Sequence, residues 1–318
     1  MKEFVIGKNE ADQRFDKYIK KVLKEAPNSF IYKMLRKKNI TLNGKKSDGT
    51  DKTKEGDVVK FFLSDETFDK MQGQKSADLY FKDLDYSKFI DVIFEDDDIV
   101  ILNKPANLLT QSDETGEYCL NDYYLAYLYN TGKLSEESYK TFHPSVSNRL
   151  DRNTTGLVLC GKSLKGSQRN ASILKNRDLE KYYLALVYGR VEKNASVKGY
   201  LSKNEVNNKA DISQTEKDGY VKIHTEYEIV ETYKNATLLK IHLITGKTHQ
   251  IRAHLSSLNN PIIGDFKYGN KSANEEYKKK LGINMQLLHS YIMTEKDFSV
   301  KAPIPKMFKD AIDYAKEI

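Results

Sequence analysis

Between Ser147 and Gly161 the chain reads SNRLDRNTTGLVLCG, which sets one carboxylate, Asp151, between two guanidinium groups, Arg149 and Arg152. Small hydroxylated residues follow, and then an apolar run, Leu157 to Cys160, with the character of a buried strand. A purely structural strand needs no such charged leader. The pattern puts Asp151 on a loop at the mouth of a sheet. A carboxylate there can attack a sugar, take a proton from it or stabilise cationic character at its anomeric carbon. Taken alone, an aspartate between arginines is more often a surface ion pair, so the rest of the chain must decide.

Other reactive residues carry less. His249 and His254 are five apart and lack the H-E-x-x-H arrangement, so zinc is not expected. Glu95 to Asp98 are four adjacent carboxylates, but hard-cation loops space their ligands, and a solvated hairpin turn is the commoner origin. Cys160 reads as a core residue, and with Cys119 it makes neither a disulfide framework nor a metal spacing. Lys104-Pro105 reads as a strand terminator whose lysine can touch phosphate. No metal is expected.

The elements that must position Asp151 are legible from periodicity. FIDVIFEDDDIVILNKPANLL is two β-rich runs about an acidic turn, residues 120–131 form a tyrosine-rich helix, and a polar loop leads to His143-Pro144. Ser163 to Leu179 reads as a helix and EKYYLALVYGR as a strand, with Tyr183, Ala185 and Val187 on one face. A polar segment with Gly199 and Gly219 precedes the strands HTEYEIVETY and ATLLKIHLI. KTHQIRAHLSSL is a helix whose stripe Ile251, Leu255 and Leu258 leaves His249 and Arg252 together on another side. NPIIGDFKYG, a strand near MQLLHSYIM and an amphipathic helix from Lys306 close the chain. Without a regular βαβ repeat or a Gly-rich phosphate loop, the expected class is α+β with a mixed, mainly antiparallel sheet.

Charge divides the chain. Residues 1–63 hold 16 Lys and Arg against 9 Asp and Glu, whereas the remaining 255 residues hold 36 of each. The net charge of +7 therefore sits in the first fifth, as expected of a small polyanion-binding module joined to a balanced body. No run approaches the roughly 18 apolar residues of a membrane span, and the start becomes charged before a signal-type apolar region develops. A cytoplasmic monomer with no membrane contact is expected.

In that first fifth, one helix carries Phe15, Ile19, Val22 and Leu23 at helical spacing. Pro27 ends it, and a second helix buries Ile31, Met34 and Leu35 while exposing Lys33, Arg36, Lys37 and Lys38. ITLNGK then contains Asn43-Gly44, a strong hairpin signal, followed by Lys45 and a closing strand, EGDVVKFFL. This order resembles the S4-type RNA-binding domain through Arg14-Phe15-Asp16, Leu35-Arg36-Lys37, Ile40 to Lys45 and Gly56 to Val59. The resemblance implies that the second helix and its neighbouring loop lie against RNA phosphates. Residues 64–88 read as a linker in which Phe68, Met71, Tyr80 and Phe81 can dock, and residues 89–318 as the larger domain.

The segments EDDDIVILNKPANLL, NRLDRNTTGLVLCGKS, EKYYLALVYG, TGKTHQIRAHL, PIIGDFKYG and LLHSYIM occur in the order found in the Rlu-type pseudouridine synthases, which the chain resembles over residues 89–318. The resemblance implies isomerisation of uridine to pseudouridine in RNA, most readily large-subunit ribosomal RNA and less readily transfer RNA, with no cofactor. By position it makes Asp151 the essential aspartate, Tyr183 the tyrosine against the flipped base and Arg252 the arginine that pairs with the aspartate. Arg149 would enter the stack where the uridine leaves. Lys247 and His249 join it as expected RNA contacts, with Lys33, Arg36, Lys37, Lys38 and Lys45 upstream. A flat cationic guanidinium suits a vacated stack, and an aromatic ring suits an extruded base. Three departures stand out: Asn148 and Asn260 where the family often has His, and Lys247 where it often has Arg. Two other readings compete, a non-catalytic RNA-binding factor and a nuclease using the acidic run. Retention of Asp151, Tyr183 and Arg252 opposes the first, and the lack of a credible metal cluster opposes the second.

Overall fold

Alternating and helical runs of the chain segregate into a small N-terminal unit and a large body built on one sheet. The computed structural model describes residues 1–73, 79–204 and 209–317. In the N-terminal unit, β1 (Lys2–Val5) precedes α1 (Phe15–Val22), α2 (Asn28–Arg36), β2 (Ile40–Leu42), β3 (Val58–Phe61) and α3 (Asp65–Gln72). The three strands pair antiparallel in the order β1-β3-β2. Phe15, Ile19, Ile31, Leu35, Val59, Phe61 and Phe68 form its own core. Strand β1 and helix α3 depart from the sequence reading. Ser64 caps α3 through the Thr67 amide, and Phe68 is buried in an aromatic cluster with Phe4 and Phe61. One aromatic at the right place therefore turned the polar start of the expected linker into a packed helix. Residues 74–78 of that linker lie outside the described residues, and Phe81 is buried in the core of the body.

The body runs β4 (Val92–Glu95), β5 (Ile99–Lys104), α4 (Leu120–Asn130), α5 (Glu136–Thr141), β6 (Ser145–Val146), β7 (Thr155–Gly161), α6 (Leu164–Asn176) and β8 (Glu180–Tyr188). It continues through β9 (Ala195–Asn204), β10 (Lys209–Ser213), β11 (Val221–Thr232), β12 (Ala236–Leu243), α7 (Gln250–Ser257), α8 (Lys271–Leu281), β13 (Leu288–Glu295), β14 (Phe298–Lys301) and α9 (Lys306–Glu317). Among the described residues the sheet has 11 strands, in the order β10-β9-β11-β12-β8-β13-β7-β5-β4, with β14 on β13 and β6 on β7. Its pairings are antiparallel except β13 with β7. The fold is thus α+β with a mixed, mainly antiparallel sheet.

The parallel β13–β7 junction depends on Gly156. Its φ is +104°, and a Cβ there would lie 2.1 Å from the Ser290 carbonyl oxygen, so only glycine permits the approach. Because β7 follows the Asp151 loop, this junction fixes where the loop leaves the sheet.

Strands β9 and β10 replace the polar segment expected before β11, and helices α5 and α8 occupy stretches with no predicted helix. All four carry few apolar residues, so their pairing and packing were not encoded in hydrophobic period. The acidic turn is the β4–β5 hairpin: Asp96 accepts from the Asp98 and Ile99 amides, and Glu95 pairs with Lys133 and Lys162. The N-terminal unit meets the body where the Thr141 hydroxyl donates to Glu10 at 2.5 Å and Lys8 pairs with Asp97 at 3.2 Å.

Candidate active site

Asp151 lies on the loop from β6 to β7, Tyr183 on β8 and Arg252 in the first turn of α7. All three, with Arg149, Lys247 and His249, line one cleft of about 1060 Å³. The sequence-predicted catalytic residues and the nearby RNA contacts are therefore brought together. Lys33, Arg36, Lys37, Lys38 and Lys45 lie on the N-terminal unit, all exposed. None forms an ion pair among the described residues.

The charges of the cleft are linked through one guanidinium. Arg252 Nη1 donates to Asp151 Oδ2 at 2.8 Å, while its Nε and Nη2 form a fork to Asp265 at 2.7 and 2.9 Å. Asp265 is fully buried at its side chain and also accepts from the Lys267 and Tyr268 amides. Arg252 is held on a third side by the Tyr268 ring, 5.2 Å from its Cζ. Burial opposes its charge, but the bonds and charges of Asp265 and then Asp151 prevail and raise its pKa. A bidentate fork fixes the guanidinium plane, so one N–H is aimed at Asp151 before any substrate arrives.

Asp265 was missed by sequence reasoning. It sits in the quoted GDFKYG segment, but nothing in its spacing ties it to an arginine 13 residues earlier on another element. Gly264, with φ +78° and the Met285 carbonyl oxygen 2.0 Å from where a Cβ would be, makes the turn that buries it.

The Asp151 loop is fixed on its other side by backbone bonds. The Thr110 hydroxyl donates to the Leu150 carbonyl at 2.7 Å and accepts from the Leu150 amide at 3.1 Å. Asn148 accepts from the Leu159 amide at 2.7 Å, so its side chain closes the loop onto β7. Gln286 donates to the Thr154 hydroxyl at 3.2 Å. Lys104 requires a correction. It is fully buried, and its Nζ donates to the carbonyls of Pro105, Leu108 and Arg152 at 2.7–2.8 Å. It ties β5 to the Asp151 loop and cannot reach a phosphate. Burial pushes its pKa down to about 7. Arg152 pairs outward with Glu117 at 2.6 Å, which leaves Arg149 as the exposed flanking arginine on the cleft rim.

Tyr183 is 5% exposed. Burial pushes its phenol up to about 12, against the Ser290 hydroxyl beside it, so it presents a neutral aromatic ring to the cleft near neutral pH. His249 has φ +57° at the start of α7 and bonds Tyr268 through Nδ1 at 3.0 Å, and burial pushes its pKa down. Lys247 shares the α7 entrance, where Gln250 accepts from its amide at 3.1 Å and donates to the His224 carbonyl and Thr225 hydroxyl. His254 lies behind the site, bonded to Thr225 at 3.0 Å. The arrangement offers one positioned carboxylate, one aromatic wall and cations at the mouth. Among the described residues no group of three or more His, Cys, Asp or Glu side chains is arranged to hold a metal.

A family model described as RNA pseudouridylate synthase matches residues 98–257. A protein of Mycoplasma capricolum subsp. capricolum named an uncharacterized RNA pseudouridine synthase is 35% identical over 280 residues, covering 87% of this chain and 88% of that protein. The ribosomal large subunit pseudouridine synthase C of Haemophilus influenzae is 30% identical over 299 residues, covering 92% and 86% of the two chains. Among solved structures, human RNA Pseudouridylate Synthase Domain Containing 4 shares the fold, with a TM-score of 0.57, 20% identity, and coverage of 73% of this chain and 94% of that one.

Proposed function

The chain belongs to the RNA pseudouridylate synthase family, and from that premise we propose that it modifies large-subunit ribosomal RNA with Asp151 as the catalytic carboxylate. As a member of the family it is an enzyme that isomerises uridine to pseudouridine in RNA. The reaction breaks the bond from ribose C1′ to uracil N1, turns the base and joins C1′ to C5; the C5 proton is lost and N1 gains one. Uracil must leave the stack for this. Arg149 fills the vacated place, Tyr183 lies against the extruded ring, and Arg252 holds Asp151 toward the sugar.

One observation carries the reading. Arg252 is fixed by two N–H groups on Asp265 and gives a third to Asp151, an arrangement that serves a positioned carboxylate facing polyanionic RNA and that a binding protein has no need of. The ribosomal target is supported by the relatives named for large-subunit synthases. Residues 1–63 are read as an S4-type RNA-binding domain whose exposed cations grip phosphate, and the enzyme as a cytoplasmic monomer.

Unmodified large-subunit ribosomal RNA incubated with the protein and mapped for pseudouridine tests this. We expect product at defined uridines, and we expect Asp151→Asn to reduce turnover by roughly 10⁴-fold or more while RNA affinity stays nearly constant. Absence of product on ribosomal RNA with product on transfer RNA would reassign the substrate. Retained turnover in Asp151→Asn would remove the carboxylate from its role.

A further inference from the structure

Past Tyr183 the same cleft continues to Lys181 on β8 and Arg177 at the end of α6. Neither has a part in the chemistry above. Lys181 stands two residues before Tyr183 on one strand, so both side chains leave the same face of the sheet. Glu180 and Tyr182 occupy the opposite face and bond each other at 3.1 Å, which turns the nearest carboxylate on the strand away. Among the described residues neither Lys181 nor Arg177 forms an ion pair. Lys181 is nevertheless half-buried, and both burial and the neighbouring Arg177 charge push its pKa down.

Such a placement is costly for a structural residue. A half-buried cation normally finds a carboxylate or extends its ammonium into water away from other cations. Here the half-buried Lys181 feels the charge of the exposed Arg177, and among the described residues no carboxylate pairs with either. Arg177 also holds φ +66°, the left-handed position that closes α6 and that glycine or asparagine occupies with less strain. Of the other cations of the cleft, the half-buried or buried Arg152 and Arg252 are neutralised by Glu117 and by two aspartates, whereas Arg149, Lys222 and Lys247 are exposed to water.

We infer that Arg177 and Lys181 form an anion subsite that holds a phosphodiester of the RNA strand beside the extruded uridine. The inference rests on the reading of Asp151 and Tyr183 as the uridine pocket. The two cations line the same cleft as Tyr183, which Lys222 and Lys247 also line. A phosphate held there fixes the strand's path and orientation without reading a base. It therefore contributes to binding rather than to the bond-breaking step.

The test uses a short RNA built around a uridine that the wild-type enzyme is shown to modify, with KM, kcat and affinity measured over a salt series. Lys181→Gln should raise KM roughly tenfold with kcat little changed. Lys181→Gln combined with Arg177→Gln should lower the slope of log affinity against log salt by about 0.7 per cation. Lys181→Arg should recover most of the affinity. Replacing single phosphodiesters by neutral methylphosphonates should locate one linkage whose neutralisation weakens the wild type but not the double variant. An unchanged KM and salt slope in the double variant, with the wild type active on the same RNA, would overturn the subsite and leave the proposed function standing. A loss confined to kcat would also overturn it, by making Lys181 a support for Tyr183. A wild type inactive on all RNA would remove the functional reading and the subsite with it.

Discussion

Two regions of this molecule use the same residue types in opposite ways. In the candidate active-site cleft Arg252 is almost sealed, bonded on three N–H groups to two aspartates and set against the Tyr268 ring. On the N-terminal unit Lys33, Arg36, Lys37 and Lys38 stand exposed along the end of α2 with no ion pair among the described residues. The difference is between geometry and reach. A buried guanidinium surrounded by acceptors has one conformation and can aim a carboxylate. Solvated cations have many conformations, cost nothing in desolvation and attract a polyanion over the Debye length of roughly 8–10 Å.

Breaking the cleft should therefore cost stability, and breaking the N-terminal patch should not. The largest effect is expected from Asp265→Asn, which leaves Arg252 buried with one charged partner. Chemical denaturation should show a loss of about 3–5 kcal/mol, and turnover should fall with it because the Asp151 carboxylate loses its fixed partner. A variant of wild-type stability would show that the fork is not the anchor.

Acid should separate the same two regions. His254 and His289 are buried in the body, and desolvation pushes each pKa down to about 4. The unfolded chain binds protons at these sites from pH 6.5 downward while the folded chain does not, so stability is complete above pH 6.5 and falls as pH drops toward 4. Each site accounts for roughly 3 kcal/mol over that window. The N-terminal unit contains no histidine, so its amide-exchange protection should persist at pH values where the body's is already declining. Parallel loss of protection in both would tie the two units into one cooperative block.

The smallest stability effect is expected from neutralising Lys33, Arg36, Lys37 and Lys38 together as glutamines. Melting should stay within about 0.5 kcal/mol of wild type, while the slope of log affinity against log salt should decrease by roughly 0.7–0.9 for each cation that meets a phosphate. An unchanged slope would take the N-terminal unit out of RNA binding. A shift in kcat would join the two regions functionally, contrary to the separation drawn above.

The proposed catalytic trio was legible through the ordered motifs that resemble the family, each of which sits on a readable element. Asp151 precedes a strand, Tyr183 alternates on one, and Arg252 falls off the apolar stripe of a helix. Lys104 was read as the end of a strand, which it is, with a side chain able to touch phosphate; the three carbonyls that instead hold it come from residues 1, 4 and 48 positions away. Asp265 and Thr110 were silent for the same reason: their partners are distant in the chain, and nothing in local period or composition records a partner. Lys181 and Arg177 are near in sequence, but only the tertiary structure sets them both on the cleft. Helix α3 shows the effect on a fold element: Phe68 alone among polar residues signals little until Phe4 and Phe61 enclose it.

By itself the sequence determined the class of fold, the order of the motifs, the division of charge and the carboxylate to test first, because these follow from periodicity, net charge and the ordered family motifs along the chain. Only the tertiary structure decided which of two flanking arginines is neutralised by a carboxylate, which aspartate fixes Arg252 and which cations stay unpaired. Those outcomes turn on the burial and mutual distance of groups far apart in sequence, and electrostatic energy depends on separation and desolvation rather than on chain order.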